Sequence, residues 1–146
     1  MIKKLENAIK FYNFSEAKFL VKDKTEEELE GYLLELAFEN QSILYYTFVN
    51  DLIKNEENAT YHYLASILLS QPLCHIDGAY QAAYFHAKRA VELDGGNIGY
   101  KEYLLFFNSI PDRLLTDEEA KSLAHTILET SPINETAVSL LKDLNQ

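Results

Sequence analysis

Apolar residues recur along the chain at intervals of three and four, and no stretch shows the strict alternation of a half-buried strand. The first stripe, over 2–12, places Ile2, Leu5, Ile9 and Tyr12 on one face, and Ser15 is expected to cap a short helix over 16–22. Thr25 followed by Glu28 is a capping box, in which the hydroxyl takes a backbone N–H and the carboxylate reaches back. It opens a helix over 26–39 that buries Leu29, Tyr32, Leu33, Leu36 and Ala37. Glu26, Glu27 and Glu28 stand in its first turn, where the helix dipole favours negative charge, so their presence needs no functional cause. Residues 42–54 are apolar over most of a helical circumference and are expected to be a buried element. The polar run 55–58 separates them from a helix over 59–70, which Pro72 ends. Further helices are predicted over 79–93, stopped at Gly95-Gly96, and over 98–109, broken at Pro111. A second capping box, Thr116 with Glu119, opens 117–130, and 135–144 closes the chain. The expectation is an all-α fold of seven or eight helices.

At 146 residues the chain is long enough for one domain with a core of its own. It is read as a single unit with an N-terminal helical segment (1–24), a helical hairpin (25–57), two repeat-like units (58–97 and 98–134) and a C-terminal cap (135–146). The repeat shows at an offset of 37 residues, which sets Ala83 on Ala120, Ala87 on Ala124, Glu92 on Glu129 and Asn97 on Asn134. Small residues at Ala83, Ala87 and Ala120 let paired helices approach closely, where a larger side chain would hold them apart.

The segment GAYQAAYFHAKRAVELDGGN, 78–97, resembles the second helix of a tetratricopeptide repeat through Gly78, Tyr80, Ala83, Ala87, Ala90 and Leu93. Gly95 stands where that family has its turn proline, and Pro132 holds the equivalent place one unit later. Tyr61, Leu64, Ala65 and Leu68 resemble the first helix. The residues Gln71 to Ile76 lengthen the turn between them, and Ile127 replaces an alanine in the later unit. The resemblance covers 58–146. It implies stacked antiparallel hairpins winding into a right-handed superhelix, whose first helices line a concave face that holds a peptide or partner helix. The residues it places on the exposed side of those helices are Glu30 and Leu34, then His62, Ser66 and Leu69, then Lys101, Glu102 and Leu105. The family's clamp for a C-terminal carboxylate uses Lys, Asn and Arg on that face, and His62 and Ser66 stand there instead.

Charge narrows the partner. The chain carries a net charge of −10. Residues 1–24 hold six lysines against Glu6, Glu16 and Asp23, a balance of +3, so residues 25–146 carry −13. A body of that sign repels phosphate backbones, which argues against direct nucleic-acid binding and favours a basic protein. One cysteine, Cys74, excludes an intrachain disulfide and any cysteine-cluster metal site. The lysines and Glu6 near the start interrupt any signal-peptide core, and no run is apolar enough to span a membrane, so a cytoplasmic home is expected.

The sequence offers little for catalysis. His62, His75, His86 and His125 include no pair at helical zinc spacing, and no Gly-rich phosphate loop precedes a helix. Cys74 beside His75 lies in a loop where neighbours rarely face one another. No metal or cofactor is expected. Ten tyrosines supply large contact areas with polar tips, most of them expected in the core. The expected function is a non-enzymatic module that holds a protein or peptide in a helical groove. One alternative is an acidic immunity or inhibitor protein that neutralises a basic toxin such as a nuclease. Another is a ligand sensor or enzyme with a Tyr-rich pocket.

Overall fold

The computed structural model describes residues 1–145, and among them every regular element is a helix. Nine helices follow one another: α1 (Ile2–Lys10), α2 (Phe14–Val21), α3 (Glu26–Asn40), α4 (Leu44–Asn55), α5 (Ala59–Ser70), α6 (Ala79–Leu93), α7 (Ile98–Ser109), α8 (Asp117–Thr130) and α9 (Glu135–Leu144). The expected seven or eight is therefore too few among the described residues. The segments predicted one by one already number nine, and all nine form, with Tyr12 at a positive φ of 59° between α1 and α2. Tyr12 is exposed as a result, not part of the α1 stripe, whose buried members are Leu5, Ala8 and Ile9.

Caps explain most boundaries. Both capping boxes form, at Thr25–Glu28 and Thr116–Glu119. Ser15 does not cap α2. The side chain of Asn13 does, accepting from the Glu16 N–H, while Ser15 lies inside the helix. Asn58, Asn97 and Asn134 cap α5, α7 and α9 in the same way. Gly78 leads into α6 at φ +81°, a left-handed conformation that a side chain resists. Nothing crowds the place a Cβ would take, so the cost of Gly78→Ala is backbone strain alone. That variant should lose about 1–2 kcal/mol in equilibrium denaturation without a change in helix content.

Consecutive helices pack as neighbours from α3 to α9, with α1 and α2 laid against α4. The most extensive contact joins α5 to α6, where Ala65, Ala83 and Ala87 are almost wholly buried and let the two backbones close up. The central buried element is α5, not α4. From Leu64 to Ser70 every residue of α5 is buried, because α3, α4, α6 and α7 surround it. On α4 burial is one-sided and falls on Tyr45, Phe48, Val49 and Leu52. One apolar cluster runs from Leu5 to Ala137. Among the described residues, no helix is long and apolar enough to cross a membrane.

Candidate functional site

Two open clefts lie along odd-numbered helices. The first is about 190 Å³ and is walled by Glu26, Glu27 and Glu30 of α3, Thr60 and Tyr63 of α5, and Tyr100 of α7. The helical spacing of Glu26, Glu27 and Glu30 sets them on one face of α3, and the Tyr63 and Tyr100 rings pack 5.2 Å apart opposite them. Glu26 accepts the Thr60 hydroxyl at 3.0 Å. Glu27 and Glu30 take part in no ion pair among the described residues. Burial, with Glu27 beside it, pushes the Glu30 carboxyl above its ordinary value. An incoming cation would relieve that penalty. Burial, with Glu30 nearby, also raises the Tyr63 phenol.

The second cleft, about 530 Å³, separates α7 from α9. Leu105 and Phe106 on one wall face Leu140 and Leu144 on the other, and Glu102, Glu135 and Asp143 supply carboxylates. Glu102 is fixed by the Asn134 side-chain amide, so the α9 cap also ties that helix to α7.

The residues expected on the exposed side of the first helices divide. Glu30 lines the first cleft, and Glu102 and Leu105 line the second. Leu34 and Lys101 are half-buried and belong to neither, and Leu34 packs on the core. His62, Ser66, Leu69 and Leu105 are buried rather than exposed, at 3%, 0%, 2% and 2% of their free surface. The reason for the first three is the enclosure of α5, which leaves no solvent face beyond Tyr63. The Ser66 hydroxyl bonds to the Ala83 carbonyl at 2.7 Å and to the Tyr103 hydroxyl at 2.7 Å, and Ser70 reaches Tyr103 at 2.9 Å. Seven of the eight tyrosines in the middle helices are half-buried, and Tyr45 is buried outright.

From the surface into the stack runs a chain of polar groups that no sequence motif marks. Arg89 grips Glu57 through Nε and Nη2, both at 3.1 Å. Glu57 Oε2 lies 2.7 Å from His62 Nε2, His62 Nδ1 lies 2.9 Å from His86 Nδ1, and His86 Nε2 lies 2.9 Å from the Tyr46 hydroxyl. A contact between two Nδ1 atoms holds one proton. With both rings neutral, a single arrangement satisfies every atom: Tyr46 donates to His86 Nε2, His86 Nδ1–H donates to His62, and His62 Nε2–H donates to Glu57. Burial, reinforced by repulsion from His62, lowers the His86 pKa to about 4. Hydrogen bonds from Arg89 and then His62 bring Glu57 down to about 2. The chain of bonds links α4, the α4–α5 turn, α5 and α6. A signal for it was present: folding α5 against α6 about the turn at 71–78 sets position 62 opposite about 87, and a histidine stands at 86.

Among the described residues, no group of three or more His, Cys, Asp or Glu side chains is placed to hold a metal ion. Cys74 is exposed in the α5–α6 turn. No known protein family, curated protein or solved structure matches the chain.

Proposed function

We propose that the protein is a non-enzymatic module that holds a basic protein or peptide against the side of the stack formed by α3, α5, α7 and α9. The observation that carries this reading is the Glu27–Glu30 pair. Glu30 is partly desolvated and Glu27 beside it is exposed; neither is ion-paired among the described residues, and both stand beside two tyrosine rings at the mouth of a cleft. Tyrosine faces and carboxylates together suit lysine or arginine side chains, the rings adding cation–π attraction to the ion pair. Taken as a tetratricopeptide-like right-handed superhelix, the stack turns its first helices inward, so that both of these clefts would open on its concave side.

The excess of acid over 25–146 also supports a more specific role, inhibition of a basic cytoplasmic toxin such as a nuclease, since complementary charge speeds capture. One stoichiometric basic partner, silenced on binding, would mark that role. Several partners would mark a scaffold. At about 190 Å³ the tyrosine-walled cleft is smaller than small-molecule sites usually are, so it lends a ligand sensor or enzyme no support.

Association with the captured partner should slow steeply between low and physiological salt, while dissociation changes less. Glu27→Lys combined with Glu30→Lys should lower the association rate roughly tenfold at low salt and the melting temperature by a few degrees, the latter because Glu27 stands in the first turn of α3 where the dipole favours negative charge. Stopped-flow kinetics with no salt slope and no effect of the double variant would remove the reading.

A further inference from the structure

The groove between α7 and α9 has walls built like half of a helix-binding site. On α7, Glu102, Leu105, Phe106 and Ser109 recur at intervals of three and four; on α9, Thr136, Ser139, Leu140, Asp143 and Leu144 do the same. Each wall therefore offers one continuous helical stripe, apolar at its centre. Across this gap the two helices make little backbone contact, since α8 packs against both. The shorter wall, α9, has ten residues and runs about 15 Å, the length of about three helical turns.

Charge selects among possible occupants. The lining residues carry Glu102, Glu135 and Asp143 and no cation; Lys101 and Lys142 belong to the same two helices but do not line the groove. A second copy of this chain, with its net charge of −10, would be repelled overall. We infer that the α7–α9 groove seats a short amphipathic helix of a basic partner, its apolar stripe on Phe106, Leu140 and Leu144 over the buried Leu105 and its lysine or arginine flanks on Glu102, Glu135 and Asp143. This inference rests on the partner-binding reading and assigns that reading a second site and a ligand shape. The hydrogen bond from Asn134 holds Glu102 in place before any ligand arrives, which lowers the ordering cost of the contact.

The test uses two synthetic helical peptides of about three turns, with the same leucine stripe and either lysine or glutamate flanks. Calorimetry gives affinity, and amide NMR shifts of the full chain give location. The lysine peptide should bind with shifts concentrated on α7 and α9, and the glutamate peptide should not. Leu140→Asp should weaken binding by at least about tenfold. Glu135→Lys with Asp143→Lys should do so by about tenfold at low salt with helix content unchanged, and this exposed pair decides the matter if Leu140→Asp, whose parent side chain packs on the core, lowers helix content. Equal binding of both peptides would overturn the proposal, as would shifts centred on α3 and α5. So would light scattering that shows self-association lost in Leu140→Asp, which would make the occupant a second copy. Shifts on α3 and α5 with a clear salt slope would leave the partner-binding reading standing without this groove. No peptide binding, together with unaltered partner kinetics in the Glu27/Glu30 double variant, would remove both.

Discussion

Acidification from pH 7 to pH 4 should destabilise the fold by about 3 kcal/mol through His86 alone. The native pKa of this residue is about 4, against 6.5 for the free side chain. Between those values the unfolded chain binds a proton that the folded chain refuses, so stability falls as pH falls. The penalty is absent above about 6.5 and complete below about 4. Glu57 acts in a lower window: its native pKa of about 2 lies below the usual 4.5, so its contribution is present above 4.5 and disappears as pH drops toward 2. Its exposure to solvent keeps that contribution small. Urea denaturation at a series of pH values measures both. His86→Gln, which cannot titrate, should flatten the curve between 6.5 and 4 while leaving the lower limb. An unchanged slope in that variant would mean that the loss arises elsewhere.

The second large effect concerns the most extensive helix contact. Ala83 is fully buried where α6 meets α5, and its carbonyl accepts the Ser66 hydroxyl. Ala83→Leu adds three carbons with no space to receive them, so either α5 and α6 separate or neighbouring side chains leave their rotamers. The expected cost is about 1–3 kcal/mol, or several degrees in melting temperature for a chain of this size. Lys88 lies on the same helix but faces solvent, and Lys88→Leu should cost under about 0.5 kcal/mol. If both variants melt alike, the α5–α6 contact is not the tight crossing described above.

Much of the helical layout was legible in the sequence because its signals are local. Capping boxes, Pro72 and the glycines after α6 act within a turn or two, and α5 through α9 begin and end where those signals place them. The Asn caps are equally local, since Asn58, Asn97 and Asn134 each stand just before a helix, and at α2 two capping residues, Asn13 and Ser15, lie two positions apart and Asn13 prevails. Enclosure was not legible. Residues 42–54 and 59–70 are similarly apolar, and only the three-dimensional neighbours decide that α5 is wrapped while α4 has a free side. For that reason His62 and Ser66, expected to face a partner, instead bond to His86, Ala83 and Tyr103, and Leu69 is buried. The histidine pair spans two helices and leaves no spacing motif within either. Glu30 and Glu102 stand at the edges of clefts, while Leu105, expected to be exposed, is buried.

The enclosure of α5 bears on how the molecule comes apart. In an ordinary helical array each unit touches only its neighbours, so ends can fray while the middle persists, and unfolding spreads over several partial states. Here α3, α4, α6 and α7 all rest on one helix, and Tyr103 of α7 is held directly by Ser66 and Ser70 across it. Removing any one of these helices exposes part of α5 that has no solvent-tolerant face. The middle of the stack, α3 to α7, should therefore unfold as one cooperative unit, with any fraying confined to its two ends.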